Sequence, residues 1–350
     1  MKIAMISHLK YSIGEPFAGG LEMHTHLLTM ALRAKGHEVT LFAATGSDPA
    51  TGAIELCPPT GENSAASARA EHRVYARLMD RLAASDVDVV HNNSLHQGPL
   101  ERCGNLKIPM VTTLHTPPFE SLARAAVQVT APFHRFVSVS KTLAGFWAHL
   151  VIVDDLITNG VDLSDFQFMA APAQVRYWVW YGRIVPEKGL HLAIDAAVAA
   201  GVEFRFAGPI ADEAYFAGAI VPRLAHGVTY AGHLTHQALA VLVGGARVCL
   251  CTPRWDEPFG LVIAEALACG TPVAGFRRGA LPELLDSASG VLIEGEDPVR
   301  LAVAALAAEG LARTACHARA VRHWDAGRMV GQYEDLYAAL IDRQAVRRAA

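Results

Sequence analysis

Short apolar runs and amphipathic helical stretches alternate along almost the whole chain. Residues 2–7 read as a buried strand, and a loop with Gly14, Gly19 and Gly20 leads to a helix near 21–35 with Leu27, Leu28, Ala31 and Leu32 on one face. Gly36 stops that helix and Val39–Phe42 forms the next strand, so the first ~43 residues make one βαβ unit with a right-handed crossover. The pattern recurs with a helix near 66–84, strands at Val87–His91, Met110–Leu114 and Phe136–Val139, and a helix capped by Ser140. Periodicity is then lost over residues 157–175, which read as an interdomain linker. A second series follows: Trp178–Tyr181, a helix near 189–200, Phe204–Ala207, a helix near 235–245, Val248–Cys251, a helix near 261–268 and Val273–Gly275. Two doubly wound α/β domains in tandem follow from this order, with a last helix at roughly 329–345.

Length agrees, since 350 residues make about two domains of ~100–200 residues. Hydrophobic residues make up 52% and charged residues 18%, which excludes general disorder and favours a well-packed globule. Thirty Lys and Arg against 34 Asp and Glu leave a net charge of −4, spread over both halves, so nucleic acid is not expected as a partner. Cys57, Cys103, Cys249, Cys251, Cys269 and Cys316 form no CxxC pair, which suits free thiols and makes zinc unexpected. The apolar start is too short for a signal peptide, and no run reaches ~18 apolar residues. A cytoplasmic protein is expected.

The densest chemistry lies between Trp255 and Val273. Glu257 precedes a Pro-Phe-Gly turn, a helix begins near Leu261, and Glu265 lies about one turn (~6 Å) inside it. Backbone N–H groups at Phe259, Gly260 and Leu261 attract an anion, while a carboxylate accepts two hydrogen bonds from the paired hydroxyls of a sugar or ribose. A capped helix with a favourable first-turn acid is the plainer alternative. His115 ends the buried strand Val111–Leu114, where either a structural or a ligand-facing role is open. Gly19 and Gly20 open the first long helix, either as a tight turn or as backbone approaching a diphosphate or an acceptor.

Glu257-x7-Glu265 within EPFGLVIAEALACGTPVAG resembles the retaining nucleotide-sugar glycosyltransferases of family 4, whose GT-B fold has two Rossmann-like domains facing each other across a cleft. Nearly the whole chain carries the resemblance: Gly19–His24, Gly36–Thr40, Asp88–His91, Leu114–Thr116, Asn159–Asp162, Gly182-Arg183 through Lys188-Gly189, Phe206–Gly208, Tyr230–Gly232 and Pro282-Glu283 occur in the family's order. It implies an N-terminal acceptor domain over residues 1–168, a C-terminal donor domain over 175–325, and a final segment 326–350 crossing back to the first. It also implies transfer of a sugar from a nucleotide-diphosphate donor to an acceptor hydroxyl with retained anomeric configuration. Glu257 would hold donor-sugar hydroxyls, Glu265 the ribose, and the Phe259, Gly260 and Leu261 amides the sugar and diphosphate. Arg183 and Lys188 would stabilise the charge developing on the leaving group. His115 would contact a donor-sugar hydroxyl, Gly19 and Gly20 would approach the diphosphate, and backbone near Gly208 and Tyr230 would face the base. No cofactor or metal is implied. Cys251–Trp255 departs from the family's approach to Glu257 and puts Arg254 and Trp255 beside the sugar pocket.

Two motifs point elsewhere. Asp86-Val-Asp88 spells a metal-binding DxD, yet it leads straight into an apolar strand and reads as a helix-to-strand junction. Arg69, Arg73, Arg77 and Arg81 recur every four residues opposite an apolar face, which suits a solvated surface, with docking to an anionic membrane or phosphorylated acceptor as the functional alternative. A GT-B-type nucleotide-sugar epimerase and a non-catalytic nucleotide-sugar-binding protein stand as alternative functions.

Overall fold

The computed structural model describes residues 1–61, 64–224 and 227–349. The chain divides into two units: residues 1–160 with 327–350, and residues 161–326.

In the first unit, strands β1 (Lys2–Ile6), β2 (Glu38–Ala44), β3 (Ile54–Cys57), β4 (Val89–Asn92), β5 (Met110–Leu114), β6 (His134–Ser138) and β7 (Asp155–Leu156) form one sheet. Its order is β3-β2-β1-β4-β5-β6-β7 and every pairing is parallel. The crossovers carry helices α1 (Gly20–Ala34), α2 (Ala65–Ala83), α3 (Gln97–Arg102), α4 (Glu120–Ala126) and α5 (Lys141–Trp147). Central strands are apolar because both faces are covered: Met5, Leu41, Val89 and Val111 are buried together with Leu28 and Leu32 of α1.

The second unit repeats this plan with six parallel strands, β8 (Tyr177–Tyr181), β9 (Glu203–Ala207), β10 (Val228–Tyr230), β11 (Val248–Cys251), β12 (Val273–Phe276) and β13 (Gly290–Ile293), in the order β10-β9-β8-β11-β12-β13. Helices α6 (Leu190–Ala200), α7 (Glu213–Tyr215), α8 (His236–Gly244), α9 (Leu261–Ala268), α10 (Leu281–Leu284), α11 (Pro298–Ala308) and α12 (Arg313–Trp324) complete it. Trp178, Phe204, Phe206, Ile194 and Leu301 are fully buried in its core. The long helix α13 (Ala326–Ala349) buries Tyr333, Tyr337 and Leu340 in the core of the first unit.

The boundary falls earlier than the sequence suggests. Residues 161–168 belong to the second unit, because Val161 donates its N–H to Trp324 O at 2.7 Å and accepts from Ala326 N at 3.0 Å. Phe166 then buries its ring against His236 at a centroid distance of 5.3 Å. The sheets are also larger than the sequence reading indicates: β3, β10 and β13 are short, partly buried strands of three or four residues, and β7 has two.

Each sheet reverses its winding once, between β1 and β4 in the first and between β8 and β11 in the second. Ligands of open α/β sheets bind beyond the carboxyl ends of the strands at such a reversal.

Candidate active site

Two glycine-walled loops stand at the carboxyl edge of the second sheet, the first of them at its reversal. Past β8 the chain runs through Gly182 (φ +145°) to Arg183, and past β9 through Gly208 (φ +137°). A Cβ on Gly208 would lie 1.9 Å from the Gly182 carbonyl oxygen, so these loops touch backbone to backbone. Gly208 donates its N–H to Gly232 O at 2.9 Å, and the Tyr230 hydroxyl donates to Gly208 O at 2.7 Å. Gly208 and Tyr230, both expected to face the donor, therefore lie together at this edge. Arg183 is half-buried and makes no hydrogen bond or ion pair among the described residues.

Lys188 sits in the turn before α6. Its Nζ donates to Glu257 Oε2 at 2.6 Å and lies 5.2 Å from the centre of the Trp255 ring. Trp255 Nε1 donates to the same carboxylate oxygen at 2.9 Å. Lys188 and Glu257 retain only 21% and 16% side-chain exposure, so this pair is shielded more than a surface bridge. Thr252, buried after β11, accepts from Trp180 Nε1 at 3.2 Å and lies 3.0 Å from the Lys188 and Gly189 carbonyl oxygens, tying the Lys188 turn to the Glu257 loop.

From Glu257 the chain turns through buried Phe259 and left-handed Gly260 (φ +100°) into α9. The N–H groups of Phe259, Gly260 and Leu261 donate to no other backbone group among the described residues, leaving a helix start whose positive end is open to an anion. Glu265 is buried within α9, and that burial raises its carboxyl pKa above the ordinary value, with His236 and Tyr181 acting in the opposite direction. Gly279 (φ +55°) holds the Glu257 loop from behind, since a Cβ there would meet the Glu257 backbone N and O at 2.3 and 2.4 Å.

The first unit holds the remaining expected residues. Gly19, in extended conformation, caps α1, and Gly20 is its first residue. His115 follows β5, and its Nε2 lies 2.9 Å from Asn93 Oδ1. Around it stand other imidazoles: the His24 ring is 4.8 Å away, and His91 bonds to Tyr337 at 2.5 Å and to Thr113 at 2.8 Å. Burial holds His115 well below the ordinary histidine value, reinforced by His24, His91 and His8. His24, fully enclosed, drops to about 4 for the same first reason.

The sequence singles out Arg183, Lys188, Glu257 and Glu265 but gives no role to Thr252, which stands against the Lys188 turn, or to Asn93 and His24, which stand against His115. Asn93 carries no spacing signal, and its contact with His115 exists only because β4 and β5 are neighbours. Asp86 and Asp88 do form the expected helix-to-strand junction: Asp86 pairs with Lys2 at 2.5 Å, and Asp88 accepts the Lys2 backbone N–H at 2.6 Å. Among the described residues, no three His, Cys, Asp or Glu side chains are grouped as a metal site.

Two parallel sheets, each with one reversal, and basic residues beside an open helix start at the carboxyl edge of the second define a two-domain Rossmann-like protein. Residues 18–165 match the Glycosyltransferase Family 4 domain and residues 176–308 the Glycosyl transferases group 1 domain. The phosphatidyl-myo-inositol mannosyltransferase of Mycobacterium leprae is 28% identical over 373 residues, covering 96% of each chain. Among solved structures, sucrose-phosphate synthase from Thermosynechococcus elongatus superposes with a TM-score of 0.82 at 21% identity, over 98% of this chain and 99% of the other. Anabaena HepE in complex with UDP-glucose gives 0.76 at 18% identity, over 97% and 100%. The chain belongs to the family 4 glycosyltransferases and has the GT-B fold. It is an enzyme that transfers glycosyl groups from a nucleotide-sugar donor.

Proposed function

We propose that the second unit grips the donor by its diphosphate, with Arg183, Lys188 and the Phe259–Leu261 amides on the phosphates, Glu257 on the sugar hydroxyls and Glu265 on the ribose. The observation that carries this is that an arginine without a partner among the described residues, a lysine and an open helix start all follow β8 and β11, the neighbouring strands at the reversal of one sheet. Lys188 can keep Glu257 and still serve a phosphate, because an ammonium has three donors. In the second unit Gly208 and Tyr230 line the nucleoside side; His115 and the Gly19-Gly20 backbone, taken by themselves in the first unit, are assigned to donor recognition on the strength of the family resemblance.

Transfer proceeds with the anomeric configuration retained. Retaining hydrolases use a carboxylate nucleophile with a partner acid about 5 Å away. Here the Glu257 carboxylate is held by Lys188 and Trp255, which leaves it as a grip rather than a nucleophile. On the proposed route the glycosidic C–O bond breaks toward the diphosphate while the acceptor oxygen bonds to the same face of the anomeric carbon. The acceptor's proton passes to the departing phosphate oxygen, and the two side-chain cations and the amides stabilise that charge most where it develops, without a metal ion. Turnover assays should show nucleoside diphosphate released in step with product, undiminished by a chelator, and proton NMR should show the donor's anomeric configuration in the product. Inversion, or loss of turnover with the chelator, would refute the route.

The acceptor is proposed to be presented at an anionic membrane surface. Arg69, Arg73, Arg77 and Arg81 all lie exposed on α2, whose other face buries Tyr75, Leu78, Met79 and Leu82, and no helix among the described residues is long and apolar enough to cross a membrane. The phosphatidyl-myo-inositol mannosyltransferase relative bears the name of a lipid acceptor. Basic residues near an anionic surface contribute roughly 1 kcal/mol each. Phosphatidylglycerol vesicles should therefore retain the protein at low salt and release it when the four arginines become glutamines; equal retention of the variant would count against the proposal.

A further inference from the structure

We propose that Asn93 is a positioning residue that fixes the tautomer of His115, so that His115 meets the donor as a hydrogen-bond acceptor through Nδ1. The proposal rests on the assignment of His115 to the donor made above.

The geometry starts one residue past β4, beside the sheet reversal. Asn93 is completely buried and its N–H donates to Ile6 O at 2.8 Å, which locks its backbone to β1. Its side-chain amide has two neighbours: Nδ2 lies 3.4 Å from Met5 Sδ, and Oδ1 lies 2.9 Å from His115 Nε2. A thioether sulfur accepts and cannot donate, so the amide nitrogen must face Met5 and the carbonyl must face the imidazole. A carbonyl oxygen in turn only accepts, which puts the ring proton on Nε2. In a neutral ring the lone pair is then on Nδ1, and Nδ1 has no hydrogen-bond partner among the described residues. The order of control runs from Met5 through Asn93 to His115.

The ring must stay neutral for this to hold, and its surroundings see to it. The titratable groups around it are His8 after β1, Glu22 and His24 of α1, His91 of β4 and, behind His24 and His91, Tyr333 and Tyr337 of α13. Glu22 Oε1 lies 2.7 Å from His8 Nε2, and the groups that set the His115 pKa beside its burial are His24, His91 and His8, all of which lower it. Imidazoles so placed disfavour a cation on His115. An accepting Nδ1 requires an O–H on the donor. A donor carrying fluorine in place of the contacted hydroxyl cannot supply one, whereas a donating histidine would tolerate that change.

Nitrogen-15 NMR of histidine-labelled free protein tests the claim directly. The His115 signals should report the Nε2–H tautomer at pH 7 and should not titrate near pH 6.5. In Asn93→Leu the ring loses its acceptor, and the tautomer should shift or become mixed, with kcat/KM falling about 10- to 100-fold. Asn93→Asp distinguishes positioning from mere packing. An aspartate raises the His115 pKa, so kcat/KM should acquire an acid limb absent from the wild type, as a protonated Nδ1 can no longer accept. An Nδ1–H tautomer in the wild type, an unchanged tautomer in Asn93→Leu, or the absence of an acid limb in Asn93→Asp would overturn the proposal. The NMR arm needs no donor, so a failed donor search would count against the placement of His115 in the donor site, not against the action of Asn93.

Discussion

At the residue scale the site is a set of charges placed at different cost. Lys188 and Glu257 offset each other in the free protein, and the Trp255 face and indole N–H add to both, so the pair is pre-organised before a ligand arrives. At Glu265 burial outweighs the opposing influence of His236 and the Tyr181 hydroxyl. The raised Glu265 pKa means that the folded protein binds a proton there more tightly than the unfolded chain. This contribution to stability is fully present below the ordinary carboxylate value of 4.5 and is lost as pH rises through the raised folded value. Glu265→Gln stays neutral throughout. In urea melts it should match the wild type in acid and exceed it progressively above, each tenfold difference in proton affinity being worth about 1.4 kcal/mol. The same variant should bind the donor roughly 10- to 100-fold more weakly, as expected when a hydrogen bond to a charged group is lost. A variant no more stable than the wild type at pH 7 would show that the buried carboxylate carries no cost. The Glu257-x7-Glu265 spacing made both carboxylates legible in the sequence, but the burial that distinguishes them was not, because it depends on Tyr181 in a strand some 80 residues earlier.

At the element scale, the loops leaving β8 and β9 are placed by the absence of side chains. Gly208 lies at φ +137° against the Gly182 carbonyl, and backbone cannot yield as a flexible side chain can. Gly208→Ala should cost roughly 2–4 kcal/mol in chemical denaturation, through strain and steric overlap together, and should displace Arg183 and weaken nucleotide binding. Wild-type stability in that variant would mean the two loops do not touch. The sequence showed a glycine after each strand, yet which glycines meet depends on β8 and β9 being neighbours. Helix α2 is the opposite case. Its four-residue arginine period placed all four side chains on one face without tertiary information, because a helix fixes that geometry locally.

For the whole molecule, alternating strand and helix patterns made both doubly wound sheets legible, since buried parallel strands are continuous apolar runs. Short edge strands were not legible, because partly exposed segments such as Ile54–Cys57 and Val228–Tyr230 look like loops until a neighbour supplies their hydrogen bonds. The boundary at Gly160 was equally hidden: the pairing of Val161 with Trp324 and Ala326 joins residues more than 160 positions apart. What the architecture offers is one cationic edge, at the reversal of the second sheet, for a nucleoside diphosphate. Thermal melting of the wild type and of an Arg183→Ala, Lys188→Ala double variant with UDP, GDP, ADP and dTDP tests this most directly. At about one hundred times its Kd the preferred nucleotide should stabilise the wild type by about 2.7 kcal/mol, whereas the double variant, measured against its own lower melting point because Glu257 loses its partner, should gain little from the same nucleotide. An equal gain in both proteins, or no gain in the wild type from any of the four, would contradict the account.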